Sequence, residues 1–126
     1  MISIIIPVFN EENRISKSLE IISAYLKGFK EESEVVVVDD GSWDTTPKIL
    51  QDFSQRMNLK ILTHKANAGK GAAIRTGIKS ASGDKILFTD IDLSVPIDTL
   101  ESFNAVLTGD VDIVIGSREH PDSQIE

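Results

Sequence analysis

Apolar residues fall into two alternating patterns along this chain. Short, largely unbroken runs rich in Ile and Val occupy residues 2–6, 35–38, 60–63, 85–89 and 111–115. Runs of this length and composition read as strands buried on both faces. Between them the apolar positions recur at helical spacing, as in Ile15, Leu19, Ile22 and Leu26. That helix is expected to start at a cap on Asn10 and stop at Gly28. Further helices are expected over 46–57, with Pro47 in the first turn, over 72–80, and over 96–107, opened by Pro96. Five strands alternating with four helices predict an α/β fold, a mostly parallel sheet with helices on both faces. In such sheets ligands bind beyond the carboxyl ends of the strands, where the strand order reverses. The polar clusters all fall there: 7–12, 39–42, 64–71, 90–92 and 116–118.

Composition narrows the chemistry. A chain of 126 residues is room for one domain, spanning 1–126. It has no cysteine and only His64 and His120, so a bound metal would have to be held by oxygen. The longest apolar run, 35–38, is far short of the roughly 20 residues needed to cross a bilayer, and the N-terminus has no signal-peptide pattern. The expectation is a cytoplasmic protein without an anchor of its own. The net charge of −7 argues against nucleic acid. It hides a local reversal, because residues 60–85 carry six basic groups against Asp84 alone, a window of +5. Such a patch suits a compact anion better than a polymer.

Asp90 and Asp92 carry the strongest signal. Residues two apart in extended chain point to one side, so both carboxylates can face one point, where a divalent cation would relieve their repulsion. All-oxygen ligation favours Mg²⁺ or Mn²⁺, bridging the carboxylates to a diphosphate. An Asp-x-Asp can also merely open a loop; its place after the fourth strand favours the metal. Ser94 continues the alternation, as a further ligand or as a cap of the next helix. The loop Asn67-Ala68-Gly69-Lys70-Gly71 is not a Walker A sequence, since Gly follows Lys70 and residue 65 is Lys. Its glycines still let backbone amides approach an anion at a helix N-terminus, with Lys70 and Arg75 nearby. Asp39 ends the second strand, well placed to accept N–H bonds from a nucleobase. Asp44 or Thr45 would cap the second helix, and Glu11 and Glu12 favour a helix start whatever else they do. Trp43 reads as a packing residue and His64 as a structural one; no Ser-His-Asp set suggests itself.

Five segments together, 4–12, 37–46, 67–73, 89–93 and 115–118, resemble family 2 glycosyltransferases of the GT-A fold, a Rossmann-like nucleotide-sugar-binding domain. Residues 90–100 and 116–118 are most similar to the dolichyl- or polyprenyl-phosphate sugar synthases, the glucosyl branch more than the mannosyl. The resemblance covers essentially the whole chain. It implies that Pro7, Phe9 and Glu11 lie around the nucleotide, with Phe9 where the family often has Tyr. Asp39 would contact the base, and Asn67, Gly69, Lys70, Gly71 and Arg75 would lie near the base and diphosphate. Asp90 and Asp92 match the metal-binding Asp-x-Asp, with Ser94 where some members have Gln.

By this resemblance the reaction is inverting transfer of a hexose from UDP-glucose or GDP-mannose to polyprenyl or dolichyl phosphate, assisted by Mg²⁺ or Mn²⁺. Charge growing on the β-phosphate would be stabilised by the metal and Arg75. An acceptor phosphate is already anionic, so no strong general base is called for. Relatives continue past residue 126 into acceptor-binding and membrane-associated parts. The expectation is therefore a donor-binding part, with contact to the cytoplasmic face of a membrane only through such a continuation. Two other readings are a nucleotide-sugar-binding module without catalysis and a phosphoacceptor receiver domain; the paired aspartates and the glycine loop argue against the receiver.

Overall fold

Seven residues, Ile2–Val8, form β1, two more than the apolar run predicts, with Pro7 inside the strand. The structure, a computed structural model, describes residues 1–94 and 96–106. In chain order the other elements are α1 (Ile15–Lys27), β2 (Ser33–Asp39), α2 (Thr46–Ser54), β3 (Leu59–Thr63), α3 (Lys70–Ser80), β4 (Lys85–Phe88) and α4 (Thr99–Val106). The strand expected over 111–115, residue 107 of the last helix and the 116–118 segment lie outside the described residues. Met1–Ser94 forms one compact unit, and α4 belongs to a second. In the second, α4 follows a turn in which Pro96 O accepts the Thr99 amide and hydroxyl, so this helix begins three residues after the predicted proline.

The four described strands are all parallel, in the order β3-β2-β1-β4. The chain runs outward from β1 to β3, then crosses back to place β4 on the other side of β1. Parallel crossovers are right-handed, so α1 and α2 fall on one face and α3, travelling the opposite way, on the other. Packing agrees: α3 sits on β1 and β2, and α1 lies against α2. Both faces are thus covered, and Ile4, Ile5, Ile6 and Val35 to Val38 have no exposed surface. On the α3 face, Ile5, Val36 and Val38 pack with Ala73. Among the described residues no helix is long and apolar enough to cross a membrane.

Pro7 is tolerated because β4 has already ended. The β1–β4 pairing runs only to Ile5 opposite Phe88, whereas β1–β2 continues to Val8 opposite Asp39. Beyond Ile5 the β4 side of β1 is an edge, where a missing N–H costs no ladder bond. The same divergence opens a crevice between the ends of β1 and β4.

At the opposite end of the sheet, buried Glu34 holds the α3–β4 connection. Its carboxylate accepts the Ser3 hydroxyl (2.7 Å) and the Ser82 amide (2.7 Å), and Lys60 lies 3.8 Å away. Burial alone raises the Glu34 pKa, but the Ser82 and Ser3 hydrogen bonds and the Lys60 charge outweigh it, leaving the carboxyl below its ordinary value. A lowered native pKa stabilises the fold above the unfolded-state value, and the contribution disappears as pH falls below about 4.3 towards the native one. Urea midpoints between pH 6 and 3 are therefore expected to fall less steeply in Glu34→Gln than in the wild type. Parallel slopes would exclude Glu34 as a source of the acid sensitivity.

Candidate functional site

The crevice holds a cavity of about 470 Å³, within the roughly 300–1,000 Å³ of small-ligand sites. After β1 it is lined by Phe9, Glu11 and Arg14, with Pro7 and Val8 at the strand end. Asp40 lines it after β2, Asn67, Gly69, Lys70 and Ala73 at the start of α3, and Asp90, Ile91 and Asp92 after β4. Strand order thus brings Pro7, Phe9, Glu11, Asn67, Gly69, Lys70, Asp90 and Asp92 to one place. Asp90 and Asp92 reach it from a turn and not from extended chain as expected, because β4 ends at Phe88 and the Leu93 amide donates to Asp90 O at 3.1 Å.

Asp90 and Asp92 supply hard oxygen donors to this cavity, and Lys70 marks one of them as a cation position, its Nζ 2.6 Å from Asp90 Oδ1. Asp92 Oδ1 accepts the Ser94 amide at 3.1 Å. Ser94 itself is exposed and does not line the cavity. Among the described residues no cluster of three or more His, Cys, Asp or Glu could hold a metal. Two carboxylates alone still suit Mg²⁺ or Mn²⁺, which commonly take one or two carboxylates and leave other positions to water and substrate phosphates. The residues present fit such an ion.

Two basic groups exchange places relative to expectation. Arg75 is exposed on α3, away from the cavity. Lys70 and Ala73 face the cavity, and two residues further along a helix of 3.6 residues per turn the side chain points elsewhere. Arg14 lines the cavity instead, its Nε 2.7 Å from Glu11 Oε2. It immediately precedes α1, and no spacing rule singles it out.

The glycine loop also differs from a free anion cradle. Asp40 accepts the Ala68 amide on Oδ1 (2.9 Å) and the Gly69 amide on Oδ2 (2.8 Å), so an internal carboxylate already occupies both donors. Gly71 lies in the first turn of α3, which begins two residues earlier than predicted, and does not line the cavity. The first-turn amides of residues 70–72 have no acceptor within the helix. Burial raises the Asp40 pKa, but hydrogen bonds from His64, Ala68 and Gly69 outweigh it, holding the carboxyl below the usual range.

Asp39 is only 1% exposed and does not line the cavity. Its Oδ1 accepts the Ser42 amide (2.9 Å), while Oδ2 has no hydrogen-bond partner among the described residues. Asn10 is not a helix cap: α1 begins only at Ile15. With φ of 51°, Asn10 joins the loops after β1 and β2, donating its amide to Ser42 Oγ (2.8 Å) and accepting the Trp43 amide (3.0 Å). Glu12 accepts the Thr45 amide and hydroxyl, and the Glu11 amide donates to Thr46 Oγ1. Asp44 does support the start of α2, accepting the Thr46 amide at 2.8 Å. Trp43 is not packed inside; it is 79% exposed and touches Phe9 edge-on at 5.1 Å between ring centroids.

A parallel α/β sheet with a carboxylate-bearing cavity at the reversal of strand order places the chain in the Rossmann-like class of folds, in which ligands bind at that reversal. The chain belongs to glycosyl transferase family 2, which matches residues 3–125. It is 34% identical over 128 residues to a dolichyl-phosphate beta-glucosyltransferase of Trichomonas vaginalis, covering 93% of this chain and 40% of that relative. Its fold is similar to that of S. aureus TarS in complex with UDP-GlcNAc, with a TM-score of 0.71, 34% identity, and coverage of 82% of this chain and 30% of the other. It is also similar to the mannosyltransferase PcManGT of Pyrobaculum calidifontis in complex with GDP-Man and Mn²⁺, with a TM-score of 0.65, 29% identity, and coverage of 72% and 27%. The chain thus spans well under half the length of each. Membership of this family removes the receiver-domain reading.

Proposed function

We propose that this chain binds the nucleotide-diphosphate sugar of an inverting glycosyltransferase that passes a hexose to polyprenyl or dolichyl phosphate at the cytoplasmic face of a membrane. The observation that carries the reading is the cation-paired carboxylate pair in the crevice, Lys70 on Asp90 with Asp92 beside it. Asp90 and Asp92 would hold Mg²⁺ or Mn²⁺. When bound, the ion would neutralise charge on the diphosphate as the sugar leaves. Lys70 and Arg14 present cationic groups to the same space, and Pro7, Val8 and Ile91 give it apolar walls. Asp39 is the base contact in this reading, supported by its one unpartnered oxygen. That oxygen is buried, so in this reading the groups around it move when the base binds. A uridine nucleotide is supported by the similarity to the TarS complex with UDP-GlcNAc, and a guanosine nucleotide by that to the PcManGT complex with GDP-Man.

Trp43 is the sole tryptophan and touches a residue lining the cavity, so its emission should report occupancy. Titration with UDP and with GDP, each with and without Mn²⁺, is expected to show saturable quenching by one nucleotide, tightened by the ion. No response to either nucleotide in Mn²⁺, confirmed by calorimetry, would overturn the donor-site reading. Transfer from UDP-glucose or GDP-mannose to polyprenyl phosphate then separates an enzyme from a binding module.

A further inference from the structure

We infer that Asp40, His64 and Thr76 form a hydrogen-bonded latch that positions the glycine loop and Lys70, making His64 and Thr76 determinants of donor affinity that never touch the donor. The inference rests on the donor-site reading for its functional part only; the latch itself is a statement about the loop.

Asp40 is 4% exposed at the end of β2. Its Oδ1 takes both the Ala68 amide and His64 Nδ1, 2.7 Å away, and its Oδ2 takes the Gly69 amide. A carboxylate only accepts, so Nδ1 carries the proton and the ring is fixed in orientation. Its Nε2 lies 2.8 Å from Thr76 Oγ1, which is 3.0 Å from Ala72 O one turn earlier in α3. A continuous carboxylate–imidazole–hydroxyl chain therefore runs from β2, through the residue after β3, into the second turn of α3. It grips residues 65–69 at both ends.

The backbone fits this arrangement. Gly41 has a φ of +81°, and a Cβ there would come within 3.0 Å of the Asn67 amide nitrogen, so the loops after β2 and β3 meet with no side chain between them. The Asn67 side chain closes the contact by donating to Asp40 O at 3.4 Å. Lys70 follows directly, at the first position of α3, and its ammonium reaches Asp90 across the cavity. Shifting the loop shifts that ammonium. Although aspartate, histidine and a hydroxyl are in line, Thr76 is no nucleophile. It stands within a helix against Ala72 O and does not line the cavity.

These are positioning residues, and the test has two arms. In the first, amide hydrogen exchange of Ala68 and Gly69 is measured by NMR without nucleotide on wild type, His64→Phe, Thr76→Val and Thr76→Ser. Protection is expected to drop about ten-fold or more in His64→Phe, which keeps the ring volume but loses a charge-assisted bond. It should drop in Thr76→Val and recover in Thr76→Ser. In the second, the Kd for UDP and GDP with Mn²⁺ is expected to weaken in the same order, with Thr76→Ser close to wild type. Unchanged protection in both His64→Phe and Thr76→Val overturns the latch. Lost protection with unchanged Kd overturns its role in donor affinity. If His64→Phe does not fold, the Thr76 pair decides alone. If the wild type binds neither nucleotide, the donor-site reading fails, while the exchange arm still decides the latch.

Discussion

Replacing Asp90 and Asp92 together with asparagine is expected to abolish the Mn²⁺ dependence of nucleotide binding and leave the fold standing. Both side chains are solvent-accessible, and the Lys70–Asp90 contact joins groups that are 57% and 45% exposed. Such a pair adds about 1 kcal/mol or less to stability, so the thermal midpoint should barely move. The Ser94 amide can still donate to the asparagine oxygen at position 92. What is lost is two negative charges at the place where a cation would sit. Changing partners that merely orient a ligand commonly costs about 10–100-fold in metal affinity. Neutralising both ligands should reach or exceed the upper end of that range. Calorimetry with UDP or GDP in Mn²⁺ and in EDTA decides it: the two curves should coincide in the double variant and diverge in the wild type. A double variant that keeps the wild-type response to Mn²⁺ would sink the metal-bridge proposal.

The second large effect is structural, at Gly77. This residue is buried where α3 crosses β1, and a Cβ built there would run into Ile5 Cγ2 and lie 3.2 Å from Val38 Cγ2. Those methyl groups belong to fully buried side chains and cannot swing away. Gly77→Ala gains about 1 kcal/mol of helix propensity and is opposed by about 1–3 kcal/mol of overpacking. Gly77→Val adds two more methyl groups and a β-branch, so a net loss of about 3 kcal/mol or more is expected. That is a large share of the roughly 5–15 kcal/mol of a typical domain. Urea unfolding followed by circular dichroism should show it as a much lower midpoint. Ile5→Ala removes the nearest methyl, so Gly77→Val/Ile5→Ala should be more stable than the two single losses predict together. Equal stability of Gly77→Val and wild type would show that α3 does not seat as described. The same displacement would carry Lys70 away from Asp90, so nucleotide affinity should fall with stability.

Much of this molecule is written in local pattern. Unbroken apolar runs specify parallel strands because both faces must be covered, and helices between them follow from chain length and spacing. Parallel strands all point one way, so the residues that follow them gather on one rim. That is why Asp90, Asp92 and Lys70 are legible as site candidates from the residues alone, whereas Phe9 and Glu11 follow only from the family resemblance. Boundaries shifted where a neighbour intervened: β1 runs through Pro7 because β4 stops short, and α3 starts at Lys70 because the loop before it is fixed from outside.

Local pattern is enough for the order of the elements, the helices on both faces and the side of the sheet that bears the site. Tertiary structure decided which side chains share the cavity and which are used internally. Arg14 enters and Arg75 does not, Asn10 joins two loops when its sequence context suggests a cap, and Asp40 takes the amides that looked free for an anion. The last two depend on contacts between residues more than 20 positions apart, as in Asp40 with His64 and Gly69 or Asn10 with Ser42. Periodicity reports which face a residue occupies. Only the reversal of strand order between β1 and β4 settles what stands opposite it.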